Sequence, residues 1–428
     1  MVFNPLPWPV STVVEARLEM DARGVRCADD PGTVLNFGAL QPAGDIARTI
    51  RGVRLFDPEG REIDLGVESI EVETTNEAHA MHESPSAFRD RLVARARFRA
   101  HDLPPLGYRA YRFRFLRRPA TSPGGVISGG NVLENEHHRV EVCSDGAIAF
   151  ENLGDEESLR TLLYFEDDGD CGDAYNFAAP IDDRIVSSRG TLAGIDVVMD
   201  SPNVGILEVR HRLHIPERFD FDRRARSEHT APLDLITLIV LGRESRHATF
   251  QTRLVNPARD HRLRAVFKPE FPFNREKLAS FADAPFDVVE WPIEPPHPNP
   301  DGWIEDQAQT LPQQSFVDLT DGERGLAVLN KGLPEAEVRT SKDPRVYLTL
   351  FRSTGHISRP DVPGRARPAG PCIATPEGQC LREMTFEYAA LPHRGDWVEG
   401  DVLRVAHEYV AGVSTMSIRP RDGDLPLE

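Results

Sequence analysis

The sequence predicts an all-β protein built from tandem β-sandwiches, and three observations support this fold class. Thirty-five prolines and 32 glycines are spread along the 428 residues, which leaves little room for long helices. Apolar and polar residues alternate over short segments, which is the period of a strand with one buried face. Helical periodicity is scarce, because only residues 86–97 have a weak helical pattern and their alternation also fits a strand. Such a pattern favours sandwiches of packed sheets.

The clearest strand signals can be taken in chain order. Residues 139–142 and 147–150 flank Ser144-Asp145-Gly146 and predict a hairpin with an Asp-Gly turn. Leu235–Leu241 is continuously apolar and predicts a central strand that is buried on both faces. Three further segments alternate apolar and polar residues and are predicted to be half-buried strands: 207–215, 248–254 and 263–267.

A linker-like segment at residues 119–125, Pro-Ala-Thr-Ser-Pro-Gly-Gly, divides the chain. We expect a small β-sandwich over residues 1–118, a larger unit over 125–415 and a C-terminal tail over 416–428. A second loop-rich segment runs from 292 to 312. A loop of this length inside a compact domain is usually functional or wraps a neighbour.

The charge balance excludes some partners. Lys and Arg number 50 against 68 Asp and Glu, which gives a net charge of −18. We therefore expect neither nucleic acid nor an anionic membrane as a partner, because both would repel the chain on average. Hydrophobic residues make up 40% of the chain and charged residues 28%, which is ordinary for a soluble globular protein with a sizeable core.

Cysteine usage and the N-terminus bear on location. Five widely spaced cysteines without a CxxC pair argue against a disulfide scaffold and a zinc ribbon. The first residues lack the charged and apolar regions of a signal peptide. The longest apolar run is too short to cross a bilayer. We expect a cytoplasmic protein.

An acidic run at Glu166–Asp173 holds five carboxylates within eight positions. Such groups repel one another unless they are solvated, paired or shared with a cation. A calcium loop is one interpretation, but the spacing fits no EF-hand and the glutamate at position 12 is missing. A solvated acidic turn is the plainer interpretation. The functional alternative is a polar loop that presents Asp173 and Tyr175 to a ligand.

A second polar loop follows the predicted strand at 348–353 and carries Asp361, Arg365 and Arg367. Arginines in a Gly/Pro loop are usually solvated, but they can also bind sugar hydroxyls or a carboxylate. The sequence contains no HxxxH, GxSxG, P-loop or GxGxxG motif. Many Asp/Glu pairs fit the two carboxylates of a glycosidase, so the residues alone select no catalytic pair.

Several phrases occur in one order along the chain: Asn4–Trp8, Leu133–Glu136 with Arg139–Val142, Tyr164–Asn176, Asp260–Arg264, Gly325–Glu335 and Thr375–Cys380. Together they resemble the C-terminal β half of glycoside hydrolase family 38, the α-mannosidases and bacterial mannosylglycerate hydrolases. The resemblance covers most of the chain, from its second residue onward, and the longest phrases are specific.

The resemblance implies an N-terminal α/β barrel, a helical bundle and then β-sandwiches, of which the large one is similar to galactose mutarotase. Members of the family are retaining enzymes with a zinc ion and an aspartate nucleophile, both held by the barrel and bundle. No residue of this chain matches those zinc ligands or that nucleophile. We therefore expect no catalytic residue, no metal ligand and no cofactor in this chain, and we expect zinc in the catalytic domain. Without nucleophile and Lewis acid the two-step displacement has no first step.

The resemblance also implies residues that position the substrate. In the family, a tyrosine of the acidic loop approaches the bound sugar, and its match is Tyr175, with Asp173 beside it. An arginine in the loop after the Leu-Thr-Leu strand lies near the same site, and its match is Arg365, with Arg367 as the alternative. We expect these four residues to bind an α-mannoside-like carbohydrate when a barrel is present.

The same resemblance predicts an exposed partner face. The β half packs on barrel and bundle in the family, so the acidic loop, the Pro-rich loop at 291–303 and the loop of Arg365 should line one side. That side should expose apolar area unusual for a monomer. The alternative is that these loops lie on unrelated surfaces.

Three functions are compatible with these observations. The first is the β-sandwich part of an α-mannosidase-like glycoside hydrolase, working with a separately encoded catalytic barrel; the position of Met1 just before the Asn-Pro phrase favours it. The second is a stand-alone carbohydrate-binding or scaffold protein. The third is an independent epimerase or lyase on a mutarotase-like sandwich, with His, Glu or Tyr as acid and base. A neighbouring reading frame that encodes a barrel with His-x-Asp would distinguish the first.

Overall fold

The computed structural model describes residues 1–21, 49–77, 87–120, 125–153, 159–293, 304–305, 307–340 and 343–418. Strands dominate these residues, and each pairing between two of their strands is antiparallel. The all-β prediction with tandem sandwiches is confirmed. Within the described ranges, no helix has the length and apolar character that crossing a bilayer requires.

The first part of the chain forms a small two-layered unit. Its strands are β1 Val2–Phe3, β2 Val10–Asp21, β3 Gly52–Phe56, β4 Glu62–Ile63, β5 Leu65–Glu77, β6 Ala87–Leu103, β7 Tyr108–Arg109 and β8 Arg112–Leu116. One sheet has the order β2-β6-β5 and the other β4-β3-β8. Val14 and Phe98 of the first sheet pack with Leu55 and Phe115 of the second in one buried cluster. The described part of the 86–97 segment is therefore strand, because one face of β6 fills this core.

The rest of the chain supplies a larger unit. Its strands are β9 Ile127–Gly129, β10 Val132–Glu134, β11 His138–Val142, β12 Ile148–Asn152, β13 Arg160–Gly169, β14 Val186–Ser187, β15 Leu192–Asp200, β16 Val204–Pro216, β17 Phe219–Asp220, β18 Ala225–Arg226, β19 Thr230–Gly242, β20 Ala248–Val255, β21 His261–Pro269, β22 Ala279–Ala284, β23 Asp287–Trp291, β24 Leu311–Pro312, β25 Phe316–Thr320, β26 Arg324–Asn330, β27 Glu335–Arg339, β28 Arg345–Ser353 and β29 Glu383–Arg394. The last strand, β30 Ser414–Thr415, returns to the sheet of β1 and β7.

Two large sheets of this unit share one core. In the described residues, one sheet has the order β15-β16-β19-β20-β29-β26-β25-β22-β23. The other has the order β24-β27-β28-β21-β13-β12-β11-β10-β9, with β14 beside β13. Phe250 and Tyr388 of the first sheet meet Phe267 of the second, with ring centroids 6.4 and 6.0 Å apart. These rings lie in one buried cluster drawn from both sheets, which is the pattern of a sandwich.

The predicted hairpin is present. β11 and β12 pair in register, with Val142 opposite Ile148. Gly146 in the turn has φ +84°, a left-handed conformation that glycine adopts without steric cost. The Asp145 carboxylate accepts a hydrogen bond from the Ala147 amide at 3.0 Å. Local turn chemistry is therefore enough to set this register.

The prediction of a central strand buried on both faces is wrong for Leu235–Leu241. β19 does lie between β16 and β20, but its burial alternates: Leu235 and Ile239 are buried, while Ile236 and Leu238 are only half-buried. The strand with two covered faces is β21, whose residues His261 to Phe267 are all buried. Its second face is polar, so apolar content did not reveal it.

The described residues contain one α-helix, α1 Val402–Ala411, which the sequence analysis missed. Val402, Val405, Ala406 and Tyr409 lie on one face and pack against the sheet that contains β26 and β29. This spacing is typical of an amphipathic helix. Helix α1 is short and lies between Gly400 and Gly412, so its pattern resembled a loop.

The two ends of the described chain meet. β1 pairs with β7 on one side and with β30 on the other, where Val2 lies opposite Thr415. The Trp8 indole donates a hydrogen bond to the Glu408 carboxylate at 2.9 Å. Four residues of the predicted linker, 121–124, lie outside the described residues. The domain boundaries at 118, 125 and 415 stay a prediction.

His138 gives a pH-dependent stability. The side chain is buried, its Nε2 bonds the Arg246 carbonyl at 2.7 Å, and burial lowers the pKa of His138 to about 4. An unfolded histidine titrates near pH 6.5, so the unfolded chain binds the extra proton between those two values. We expect the free energy of unfolding to fall as the pH falls from about 6.5 towards 4. Urea denaturation over that range measures it.

The matched variants for this prediction are His138→Gln and, at an exposed position, His101→Gln. We expect His138→Gln to make the dependence on pH shallower and not to abolish it, because burial lowers the pKa of His247 to about 4 as well, and we expect His101→Gln to leave the dependence as in the wild type. Parallel curves for the wild type and His138→Gln would show that His138 is not the responsible group.

Candidate functional site

The acidic run at the end of β13 is buried. The exposed fractions of Asp167, Asp168, Asp170 and Asp173 are 0, 4, 1 and 0%. The interpretation of a solvated acidic turn is therefore wrong. A buried carboxylate needs a charged or hydrogen-bonding partner, because desolvation of an unpaired charge costs several kcal/mol.

Each of these aspartates pairs with an arginine from a different segment. The pairs are Asp167–Arg226, Asp168–Arg262, Asp170–Arg352 and Asp173–Arg365. Arg226 comes from β18, Arg262 from β21 and Arg352 from β28, and Arg365 comes from the loop that follows β28. The acidic run is therefore the point at which four segments are joined.

Charge pairing and burial act in opposite directions on these carboxyls. Burial favours the neutral form of Asp168, but Arg262 and Arg264 outweigh it and lower the pKa of Asp168. Burial likewise opposes ionisation of Asp173, and the hydrogen bond from Arg365 lowers its pKa. For Asp170, burial prevails over Arg352 and raises the pKa.

Aromatic rings cover the arginines of β21. The Arg262 guanidinium lies 3.3 Å from the centroid of the Phe177 ring, and that of Arg264 lies 4.3 Å from the centroid of Tyr347. Desolvated cation–π contacts of this kind contribute about 2 kcal/mol. Phe177 thus holds the segment after the acidic run against β21.

Asp173 organises the loop that carries Tyr175. Its carboxylate accepts hydrogen bonds from the backbone amides of Tyr175 at 3.0 Å, Asn176 at 3.2 Å and Arg359 at 2.8 Å. The Arg365 guanidinium binds the same carboxylate and is itself buried. The polar atoms of Asp173 are therefore occupied by contacts within the protein.

Tyr175 lies at the surface of this loop. Its side chain is 52% exposed, and its hydroxyl lies against Gly370, where an added Cβ would come within 2.6 Å of the Tyr175 oxygen. Arg367 is exposed on the intervening segment. The structure thus brings Tyr175, Asp173 and Arg365 together and leaves Tyr175 and Arg367 accessible.

A third segment reaches the same place. Glu305 forms an isolated β-bridge with Arg365, and the Ala366 amide donates a hydrogen bond to the Ile304 carbonyl at 2.8 Å. The Asn176 side chain donates to the Glu305 carboxylate. Residues 294–303 of the predicted Pro-rich loop lie outside the described residues, but the segment that follows them joins the site. Tyr175, Ile304 and Ile373 are each about half exposed there.

The substrate-binding roles of Tyr175, Asp173, Arg365 and Arg367 stay predictions. The sequence analysis missed the arginines Arg226, Arg262 and Arg352 that hold the acidic run. On β21, the alternation of Arg262 and Arg264 with Leu263 and Ala265 could have indicated that arginines lie on one face of a strand whose other face is in the core. Across the described ranges, no group of three or more His, Cys, Asp or Glu is arranged to hold a metal ion.

Comparison with known proteins identifies the class of this chain. Residues 133–362 match the Glycosyl hydrolases family 38 C-terminal domain. The match covers more than half of the chain, which therefore belongs to this family. The resemblance inferred from the sequence is confirmed: the chain contains the C-terminal domain of glycosyl hydrolases family 38.

Individual relatives agree with this assignment. A putative mannosylglycerate hydrolase from Halalkalibacterium halodurans is 26% identical over 310 residues, which are 69% of this chain and 32% of that protein. The chain thus spans about a third of the length of this curated relative.

Two solved structures share the fold. They are an α-mannosidase and a family 38 glycosyl hydrolase, both from Enterococcus faecalis, each 21% identical with a TM-score of 0.75. Each covers 100% of this chain, which in turn spans 46% and 48% of the two neighbours. At this identity the likeness concerns the fold.

Replacing Arg262 with methionine tests the buried network. Arg262→Met keeps the aliphatic stem but leaves Asp168 with weaker compensation and removes the contact with Phe177. We expect a loss of about 3–5 kcal/mol in the free energy of unfolding, which is typical when one partner of a buried pair is removed. Urea denaturation at neutral pH measures it.

The control is Arg212→Met, since Arg212 pairs with Asp234 and both side chains are more than half exposed. An exposed pair contributes little, so this variant should match the wild type within error. Equal effects of the two substitutions would contradict a special role for the buried network.

Proposed function

We propose that this chain is the β-sandwich part of an α-mannosidase-like glycoside hydrolase and supports α-mannoside hydrolysis together with a catalytic barrel. The observation that carries the proposal is the family 38 match over residues 133–362. The coverage supports it, because the chain accounts for only 32% of a putative mannosylglycerate hydrolase and 46% of an α-mannosidase. The family match favours this function over a stand-alone binding protein and over an epimerase or lyase.

In this proposal the reactive groups come from the barrel and bundle. The zinc ion would act there as Lewis acid, and the aspartate nucleophile would form the glycosyl intermediate of a retaining enzyme. The partner is a catalytic barrel subunit, and the ligand is an α-mannoside-like carbohydrate. We also propose a cytoplasmic location without nucleic acid or membrane as partner, in line with the net charge of −18.

We propose two kinds of site residue. Tyr175 and Arg367 are exposed and would contact the carbohydrate. Together with Ile304 and Ile373 they form the surface that we call the rim. Asp173 and Arg365 bind each other, so they would act on the substrate by holding the loop of Tyr175 in place. Positioning of this kind matters because small displacements of a bound group reduce the rate of the reaction strongly.

The same rim would face the catalytic barrel. Tyr175, Ile304 and Ile373 are half-exposed apolar side chains on loops joined by backbone hydrogen bonds: Ala366 donates to Ile304, Ile357 to Ile373 and Ala174 to His356. Clustered apolar side chains on loops are typical of interaction sites. They support the proposal that this side packs against another domain.

The purified chain should be inactive alone. We expect no hydrolysis of an aryl α-mannoside, with or without added zinc, because the nucleophile and the zinc ligands lie in the catalytic part. Release of the phenol, measured spectrophotometrically, is the assay, and a complete family 38 α-mannosidase is the positive control. Zinc-dependent turnover that persists after contaminating hydrolases are removed would contradict the proposal.

Substitutions at the rim should affect only the reconstituted enzyme. With the catalytic part present, we expect Tyr175→Phe to lower kcat/KM by about threefold to tenfold, the loss of one hydrogen bond to the ligand, without changing the stability of the chain. Arg367→Ala should act in the same direction, whereas Arg365→Ala should destabilise the fold because Asp173 is left buried and unpaired.

The control for this series is Arg212→Ala, which should change neither quantity. Unchanged kcat/KM in both Tyr175→Phe and Arg367→Ala would exclude the rim as a substrate-binding surface.

A further inference from the structure

His261 is the first residue of β21, and both of its ring nitrogens are engaged although the side chain is fully buried. Nδ1 lies 2.5 Å from Asp167 Oδ2, and Nε2 lies 2.9 Å from Asn256 Oδ1. A neutral imidazole has only one N–H and can donate only one hydrogen bond. The number of protons on the ring therefore depends on whether each partner acts as a hydrogen-bond donor or as an acceptor.

The Asn256 amide can only accept from His261. Its Nδ2 donates to the Gln379 carbonyl at 3.0 Å, and its Oδ1 accepts from the Ala258 amide at 3.0 Å. The flipped amide would place two acceptors together at Gln379 and two donors together at Ala258. Oδ1 therefore faces the ring, and Nε2 must carry a proton.

Asp167 is also a hydrogen-bond acceptor towards His261. Its other oxygen, Oδ1, receives a hydrogen bond from the Arg226 guanidinium, which favours the ionised carboxylate. A carboxylate has no proton to give, so Nδ1 must donate to it. Both ring nitrogens of His261 then carry a proton, which defines an imidazolium.

We propose that His261 is a buried imidazolium that positions the acidic run by binding the ionised Asp167. The contact lies where β13 ends: Gly169 pairs with His261, and the Asp170 amide donates to the Asp260 carbonyl at 3.0 Å. Loss of one ring proton would leave a lone pair facing Asn256 Oδ1 or the Asp167 carboxylate. Deprotonation would thus loosen the strand end that leads to the loop of Tyr175.

The surroundings of His261 agree with a cationic ring. Asp167 faces it from β13, and Asp260 is adjacent in the turn, where the Gln379 amide donates to the Asp260 carboxylate at 2.7 Å. Arg226 lies beyond Asp167, and from β28 the ring of Phe351 meets the imidazole edge-on at 5.3 Å. The Asp167 carboxylate favours positive charge at His261, and Arg226 opposes it from a greater distance. Burial raises the pKa of Asp260, so Asp260 contributes a hydrogen-bonded neighbour and not a fixed negative charge.

His211 provides an internal comparison. It is also buried, but only its Nε2 has a partner, the Gly146 carbonyl at 2.8 Å, and its Nδ1 has none. A neutral ring satisfies this arrangement. We therefore expect the two buried histidines to differ in protonation at the same pH.

Nuclear magnetic resonance of the full chain, labelled with ¹⁵N in histidine, tests the proposal directly. At about pH 8, where a free histidine is neutral, we expect two protonated ring nitrogens for His261 and one for His211. Loss of the signals in His261→Gln and in His211→Gln assigns them. One protonated and one unprotonated nitrogen on His261 would overturn the proposal.

Stability at one fixed pH is a second readout. Removing the imidazolium leaves the buried Asp167 carboxylate with Arg226 alone, whereas removing a neutral ring leaves no charge without its partner. At neutral pH we expect His261→Gln to lower the free energy of unfolding by more than His211→Gln does. Equal losses would overturn the proposal.

If His261→Gln does not fold, the spectrum of the wild type decides the proposal, because the ring signals of His261 can be assigned through its contact with the Phe351 ring. One protonated and one unprotonated nitrogen at the assigned ring would again overturn the proposal. Only the effect on Tyr175 rests on the proposed function; the spectroscopic and unfolding readouts are independent of it.

Discussion

The loops around Asp173, Tyr175 and Arg365 depend on one constraint, which is that four buried aspartates each pair with an arginine. Taking a carboxylate out of water costs more than an ordinary contact returns, so the fold is stable only when each one meets a cation. The four arginines lie on separate segments, of which the first is β18 and the last is the loop after β28. The same charges that would repel one another in a solvated turn therefore fix the position of every segment around them.

In this arrangement the residues that hold the loops in place are different from the residue that is accessible at the surface. Asp173 and Arg365 use their polar atoms on each other and on the backbone of two loops, and they are buried. Tyr175, two residues further on, is half exposed. A rigid ionic base beneath an accessible aromatic side chain is a suitable foundation for a ligand-facing or partner-facing rim, because the base limits the conformations that the rim adopts.

Local signals predicted the β11–β12 hairpin and several further strands of the larger unit, and long-range pairing accounts for much of what was missed. The β11–β12 hairpin followed from one Asp-Gly turn, since its partners are neighbours in sequence. Asp168 and Arg262 are 94 residues apart, so neither segment alone reveals that its charges are buried. Burial on the second face of β21 could not be predicted for the same reason. Helix α1 was missed because it is short. The convergence of Tyr175 and Arg365 came from the family resemblance, and residue patterns alone did not supply it.

The pairing of β1 with β30 sets the geometry of any extension of the chain. Val2 and Thr415 are neighbours across one ladder, and the Met1 amino group donates to the Met416 carbonyl at 2.8 Å. A polypeptide fused ahead of Met1 would thus enter at the corner where residues 414–416 run. A probe at Met1 and a probe at Met416 would sense the same local environment, because the two residues are joined by backbone hydrogen bonds.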